Sequence, residues 1–131
     1  MMKHQLSFAT ITRLTDSIAE IIVNKDVEIS LEMAEEFHQF LVANFKSDFG
    51  ILVNKIYHYT YAFEAKLTIG SASNIKAIAV VFYNQAGNKT TDALLEVRAQ
   101  DSWNLKSFSG LELGRQQGID WLKKELSAIS E

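Results

Sequence analysis

The chain has 131 residues, 47% hydrophobic and 22% charged, with a net charge of −3. That length suits one globular domain able to bury roughly two-thirds of its unfolded surface, so neither a disulfide nor a metal is needed as a staple. The 13 basic residues are scattered without a Lys/Arg run, which argues against nucleic-acid binding; the lack of cysteine removes disulfides, thiolate zinc sites and cysteine nucleophiles.

The opening stretch, "MMKHQLSFATITRL", is broken by Ser7, Thr10, Thr12 and Arg13 and has no signal-peptide core. Together with the missing cysteines this points to a reducing, cytoplasmic setting. The longest apolar run, 77–83, falls far short of the ~20 residues that span a bilayer, so no membrane insertion is expected.

"LSFATITRL" (6–14) alternates loosely and is rich in β-branched residues, as a strand should be. Thr15, Asp16 and Ser17 are turn residues, and "IAEIIVN" (18–24) completes a hairpin. After a second turn at Lys25 and Asp26, Ser30 is placed to cap a helix over 31–45. Ala34, Phe37, Phe40 and Leu41 share its apolar arc, with Glu32, Glu35, Glu36 and Gln39 opposite. "FGILVNK" (49–55) reads as a buried strand. "YAFEAKLTI" (61–69) reads as a helix, with Thr60 as its N-cap and Gly70 just past its end.

"IKAIAVVFY" (75–83) is apolar on both alternating faces and predicts an interior strand covered on each side. "TTDALLEVRAQ" (90–100) is a helix that Thr90 or Thr91 can cap. "WNLKSF" (103–108) is a more polar edge strand. "GRQQGIDWLKKEL" (114–126) is a closing helix with Ile119, Leu122 and Leu126 inward. The four-residue spacing of Gly110, Gly114 and Gly118 permits a close approach to the sheet. The order is β-β-α-β-α-β-α-β-α in a single domain, residues 1–131. It defines an α/β fold with a mostly parallel central sheet and an N-terminal antiparallel hairpin whose opening strand lies at an edge. Open sheet edges favour a homodimer.

"KDVEISLEMAEEF" leading into the first helix, "ILVNK", "AIAVVFYN" and the closing "GIDWLKKEL" together resemble the STAS family of anti-sigma-factor antagonists. The likeness is to its small stand-alone bacterial members of unestablished role. It covers nearly the whole chain through element order and pattern rather than a short motif. It implies a non-enzymatic module acting through protein–protein contacts or regulation. In signalling members a Ser or Thr at the start of the helix after this strand is phosphorylated, within an Asp-Ser-Ser-Gly-like run. The comparable stretch here is Tyr57, His58, Tyr59, Thr60, Tyr61 and Ala62, in which only Thr60 can stand in as phospho-acceptor. The aspartate, second serine and glycine are missing, so the kinase-regulated switch is not carried over.

That tyrosine-rich loop is the candidate site. It follows the carboxyl end of a parallel strand, where ligands gather in open α/β sheets. Tyr57, His58, Tyr59, Thr60 and Tyr61 form either a packed seam or a partner surface. Alternatively, Tyr57, Tyr59 and Phe63 line an aromatic pocket for a small molecule or lipid. At least two tyrosine hydroxyls are expected in solvent, with Phe63 packed inward. His4 falls in a frayed tail and His38 within the apolar arc of the first helix as a satisfied boundary histidine; no pair of histidines has metal-ligand spacing, so neither metal nor cofactor is expected. No phosphate-binding glycine motif, P-loop lysine or nucleophile elbow occurs, and Glu28, Glu32, Glu35 and Glu36 read as solvated charge, so no enzymatic activity is expected.

Overall fold

The alternating strand and helix patterns are realised as a six-stranded sheet with helices on both faces in a computed structural model, which describes residues 2–130, with side chains through Ser127. The first strands are β1 (Lys3–Gln5), β2 (Ala9–Thr15), β3 (Ile18–Val23) and β4 (Glu28–Ile29), followed by helix α1 (Leu31–Asn44). Next come β5 (Phe49–Asn54), β6 (Thr60–Tyr61), α2 (Phe63–Thr68) and β7 (Ile75–Phe82). The chain continues through α3 (Gln85–Val97), β8 (Leu105–Ser109) and α4 (Gly114–Ser130).

In the main sheet the strands lie in the order β1-β2-β3-β5-β7-β8. β1, β2 and β3 pair antiparallel, with Ile11 opposite Ile21. From β3 onward every pairing is parallel, with Leu52 opposite Ala79 and Val80 opposite Ser107. This is the α/β fold with an antiparallel N-terminal hairpin and a mostly parallel sheet that the sequence implies.

Each crossover advances in the same direction along the sheet. Right-handed connections then place every crossover helix on one face. Accordingly α1, α2 and α3 bury Phe37, Leu41, Ala65 and Leu94 against Ile21 and Ile51. On the opposite face α4 alone buries Ile119, Leu122 and Leu126 against Leu52, Ala79 and Val81. β7 serves both faces, with Ala77, Ala79 and Val81 on the α4 side. This matches the alternation in "IKAIAVVFY". Ser30 caps α1 by accepting a hydrogen bond from the Met33 amide at 3.2 Å. Gly70 follows α2 with φ +74°, the left-handed geometry that glycine adopts without a Cβ penalty. Gly118 brings α4 close to the sheet: an added Cβ would lie 2.8 Å from Leu52 Cδ1.

Four expectations need correction. The opening strand of the hairpin is not at the edge, because β1 pairs outside it, Lys3 opposite Thr12. His4 belongs to that strand rather than to a frayed tail, its ring edge-on to Phe40 at 4.9 Å. α3 begins at Gln85 instead of residue 90, because Asn84 caps it by accepting from the Gly87 amide at 2.8 Å. Thr60 does not cap α2; the cap position is Ala62, which makes no side-chain cap bond.

Candidate functional site

The tyrosine-rich segment begins where β5 ends. Lys55 extends the ladder by one residue, its amide donating to Val81 O at 2.9 Å. The chain then leaves the sheet, and Ile56, Tyr57 and His58 are exposed. It returns under a second, two-stranded ladder in which β6 pairs parallel with β4, Thr60 opposite Glu28 and Tyr61 opposite Ile29. The Asp26 amide donates to His58 O at 2.8 Å, the Thr60 amide to Val27 O at 3.0 Å and the Ala62 amide to Ile29 O at 2.9 Å. This bridge, absent from the sequence reading, fixes which rings turn inward.

Tyr57 and His58 lie at the surface. Tyr59 does not: it is only 3% exposed and belongs to the core. Tyr61 and Thr60 are half-buried. The Tyr59 and Tyr61 hydroxyls meet at 3.4 Å, with their rings nearly perpendicular. Both phenols are raised above their ordinary range, chiefly because burial penalises the phenolate. Only Tyr57 thus keeps a well exposed ring, not two tyrosines. Phe63, expected to pack inward, is 60% exposed. Helix α2 starts two residues later than a Thr60 cap would set it, and Ala65 and Ile69 face the core while Phe63 and Leu67 face out.

The expected pocket of Tyr57, Tyr59 and Phe63 does not form. Instead, a cavity of about 60 Å³ lies between the sheet and the three crossover helices. Ile51, Val53, Val80 and Leu94 are among its apolar walls. Lys55, Tyr59 and Tyr61 supply polar groups to its lining.

Lys55 is the residue that sequence reasoning missed. It is 5% exposed, yet its ammonium donates to Gly87 O at 3.1 Å, Thr90 Oγ1 at 2.7 Å and Thr91 Oγ1 at 2.8 Å. Thr90 and Thr91 therefore hold this lysine rather than cap α3. The ammonium also sits 5.0 Å from the centre of the Tyr59 ring. Burial lowers its pKa to about 8, partly offset by the negative charge of Asp92. The available signal was a lysine ending the apolar run "ILVN".

A second polar cluster lies on the α4 face. Glu20, in mid-strand, accepts from Asn54 Nδ2 at 2.9 Å and from Arg115 Nε at 2.8 Å and Nη2 at 3.0 Å. Tyr83 in turn donates to Asn54 Oδ1 at 2.7 Å. Burial raises the Glu20 pKa, but the hydrogen bonds from Arg115 and Asn54 and the charges of Arg115 and Lys3 outweigh it and hold it below the ordinary value. Every partner in this cluster is committed to another, which marks it as a clamp on α4. The charge within "IAEIIV" was its sequence signal.

Among the described residues no group of His, Cys, Asp and Glu could hold a metal, and no helix is long and apolar enough to cross a membrane. Comparison with protein-family models, curated proteins and solved structures gives no match.

Proposed function

We propose that this domain is a non-enzymatic binding module whose partner is another protein, docked on loop 56–58 and the outer side of α2. One observation carries the reading. Ile56, Tyr57, Phe63 and Leu67 are 47%, 47%, 60% and 54% exposed. Four of the nine large hydrophobic side chains exposed among the described residues thus fall within twelve positions. A concentration of this kind marks contact surfaces, whereas scattered single residues need no explanation. Phe63 and Leu67 are four apart on one helix and present a common apolar ridge.

The STAS resemblance supports the same location, since signalling members control their partners through this helix start. Two differences separate this chain from them. Thr60 is tied into the β4–β6 ladder, and the apolar ridge stands where a switch serine would dominate. The cytoplasm is the compartment we propose, on the cysteine-free composition.

The test is a paired pull-down with the parent chain and Phe63→Ser/Leu67→Ser. Both should melt at nearly the same temperature, and the variant should lose a protein that the parent retains. Light scattering separates a second copy from a different partner. Identical capture by both chains, or none by either, removes the reading.

A further inference from the structure

The inner side of the same segment carries a separate inference, independent of the partner reading. Room for one water is about 10–15 Å³ on a comparable measure. The cavity of about 60 Å³ therefore has space for roughly four to six non-hydrogen atoms. Its walls are mainly aliphatic, and water finds few partners there.

Its polar lining is incomplete in two ways. Lys55 carries a buried ammonium whose three acceptors are all neutral, and none of the ion pairs among the described residues includes it. The charge of Asp92 offsets only part of the cost of burying it. Tyr59 and Tyr61 bring two hydroxyl protons but make one contact with each other, so one donor has no acceptor among the described residues. Among the described residues the lining therefore holds no anion at ion-pair distance from the ammonium and no acceptor for the spare hydroxyl proton, beside walls that are mainly aliphatic.

We propose that the cavity binds a small aliphatic carboxylate, with its carboxylate on Lys55 Nζ and the Tyr59–Tyr61 hydroxyl pair and its chain among Ile51, Val53, Val80 and Leu94. One group supplies both the charge and the acceptor. Thr90 and Thr91 can release the ammonium without losing their own bonds, because both hydroxyls already donate to Gly87 O, at 2.9 and 3.3 Å. An amine would place a second cation beside Lys55, and an alcohol would bring an acceptor without charge.

The test titrates the full chain with butanoate, butan-1-ol, butylamine and octanoate, following the methyl resonances of Ile51, Val53, Val80 and Leu94. Butanoate should shift them saturably. Butan-1-ol should bind at least tenfold more weakly, and butylamine should leave them unmoved. Octanoate distinguishes a small acid from a lipid-derived one: it should bind more weakly, and tighter binding would overturn the size limit. Lys55→Met and Tyr59→Phe should each weaken butanoate at least tenfold while retaining a cooperative melt. Leu94→Phe, which fills the cavity and leaves both polar groups in place, should do the same. No saturable shift with butanoate, equal binding of butan-1-ol, or unchanged affinity in Lys55→Met and Leu94→Phe would overturn the proposal.

Discussion

Arg115 closes on Glu20 through two hydrogen bonds, although the residues are 95 positions apart in the chain. The pair fastens the first turn of α4 to the middle of β3. Removing Arg115 leaves a buried carboxylate with only Asn54 as a donor. Arg115→Ala should therefore cost about 1–3 kcal/mol at pH 7. The Glu20 pKa is lowered in the folded state, so its contribution is present above the ordinary value of 4.5 and is lost as pH falls through the lowered one. Urea melts from pH 7 to 3 should show the gap between parent and variant narrowing below pH ~4.5. A gap independent of pH would mean that Arg115 acts by packing alone.

Lys55 titrates with the opposite sign. The unfolded chain holds this proton up to about 10.5 and the folded chain only to about 8. The burial penalty is therefore full below pH 8 and fades as pH rises toward 10.5. Across that range it amounts to roughly 3 kcal/mol, at 1.36 kcal/mol for each tenfold step. Lys55→Met should be at least as stable as the parent at pH 7, since an apolar side chain of similar length replaces a buried charge. Its relative advantage should shrink between pH 8 and 10. Chemical denaturation at matched pH values reads this directly; a constant difference would show that Lys55 keeps its ordinary affinity for the proton.

Thr60 and Ser30 make a contrasting pair. Ser30 accepts a bond from the α1 amide of Met33, whereas Thr60 sits in the β4–β6 bridge and caps nothing. Ser30→Ala should cost about 1 kcal/mol. Thr60→Ala should cost clearly less, because its half-buried side chain caps no helix. If equilibrium denaturation ranks the two the other way, α2 begins earlier than its hydrogen bonds indicate.

Glycines 87 and 114 should respond in opposite directions to alanine. At Gly114 a Cβ would meet the Ser109 carbonyl oxygen at 2.2 Å, a backbone atom that cannot turn aside. At Gly87, inside α3, the nearest atom would lie at an ordinary 3.5 Å. Gly87→Ala should raise stability by roughly 0.5–1 kcal/mol through helix propensity. Gly114→Ala should lower it by more than 1 kcal/mol, within the range of overpacked positions. Thermal melts of the two variants suffice, and equal shifts would contradict the tight turn before α4.

The main elements were legible because burial on two faces leaves a strong periodic trace. Ala79 faces the α4 core while Val80 faces the cavity on the opposite side of β7, and Ala34, Phe37 and Leu41 mark one side of α1. The candidate site was legible only in part. Tyr57, Tyr59 and Tyr61 share strand parity, yet Tyr57 faces out and Tyr59 faces in. What separates them is a two-residue ladder between β4 and β6, formed by backbone amides of segments thirty-two residues apart. Short parallel pairing of that kind leaves no pattern in side-chain identity. Lys55 and Glu20 were missed for the converse reason. A charge in an apolar strand reads as a surface position until its distant partners, Thr90, Thr91 and Arg115, are brought beside it.

The placement of α4 has a consequence for how the chain is made. Synthesis proceeds from the N-terminus, and segments fold as they emerge. The crossover helices α1, α2 and α3 accompany the strands they cover, so that face of the sheet can close as translation advances. The other face depends on Ile119, Leu122 and Leu126, all in the last helix. Until they leave the ribosome, Leu52, Ala79 and Val81 have no helix to shield them. Nascent chains stalled before residue 114 should therefore be the form most prone to chaperone capture, and release of α4 should end it.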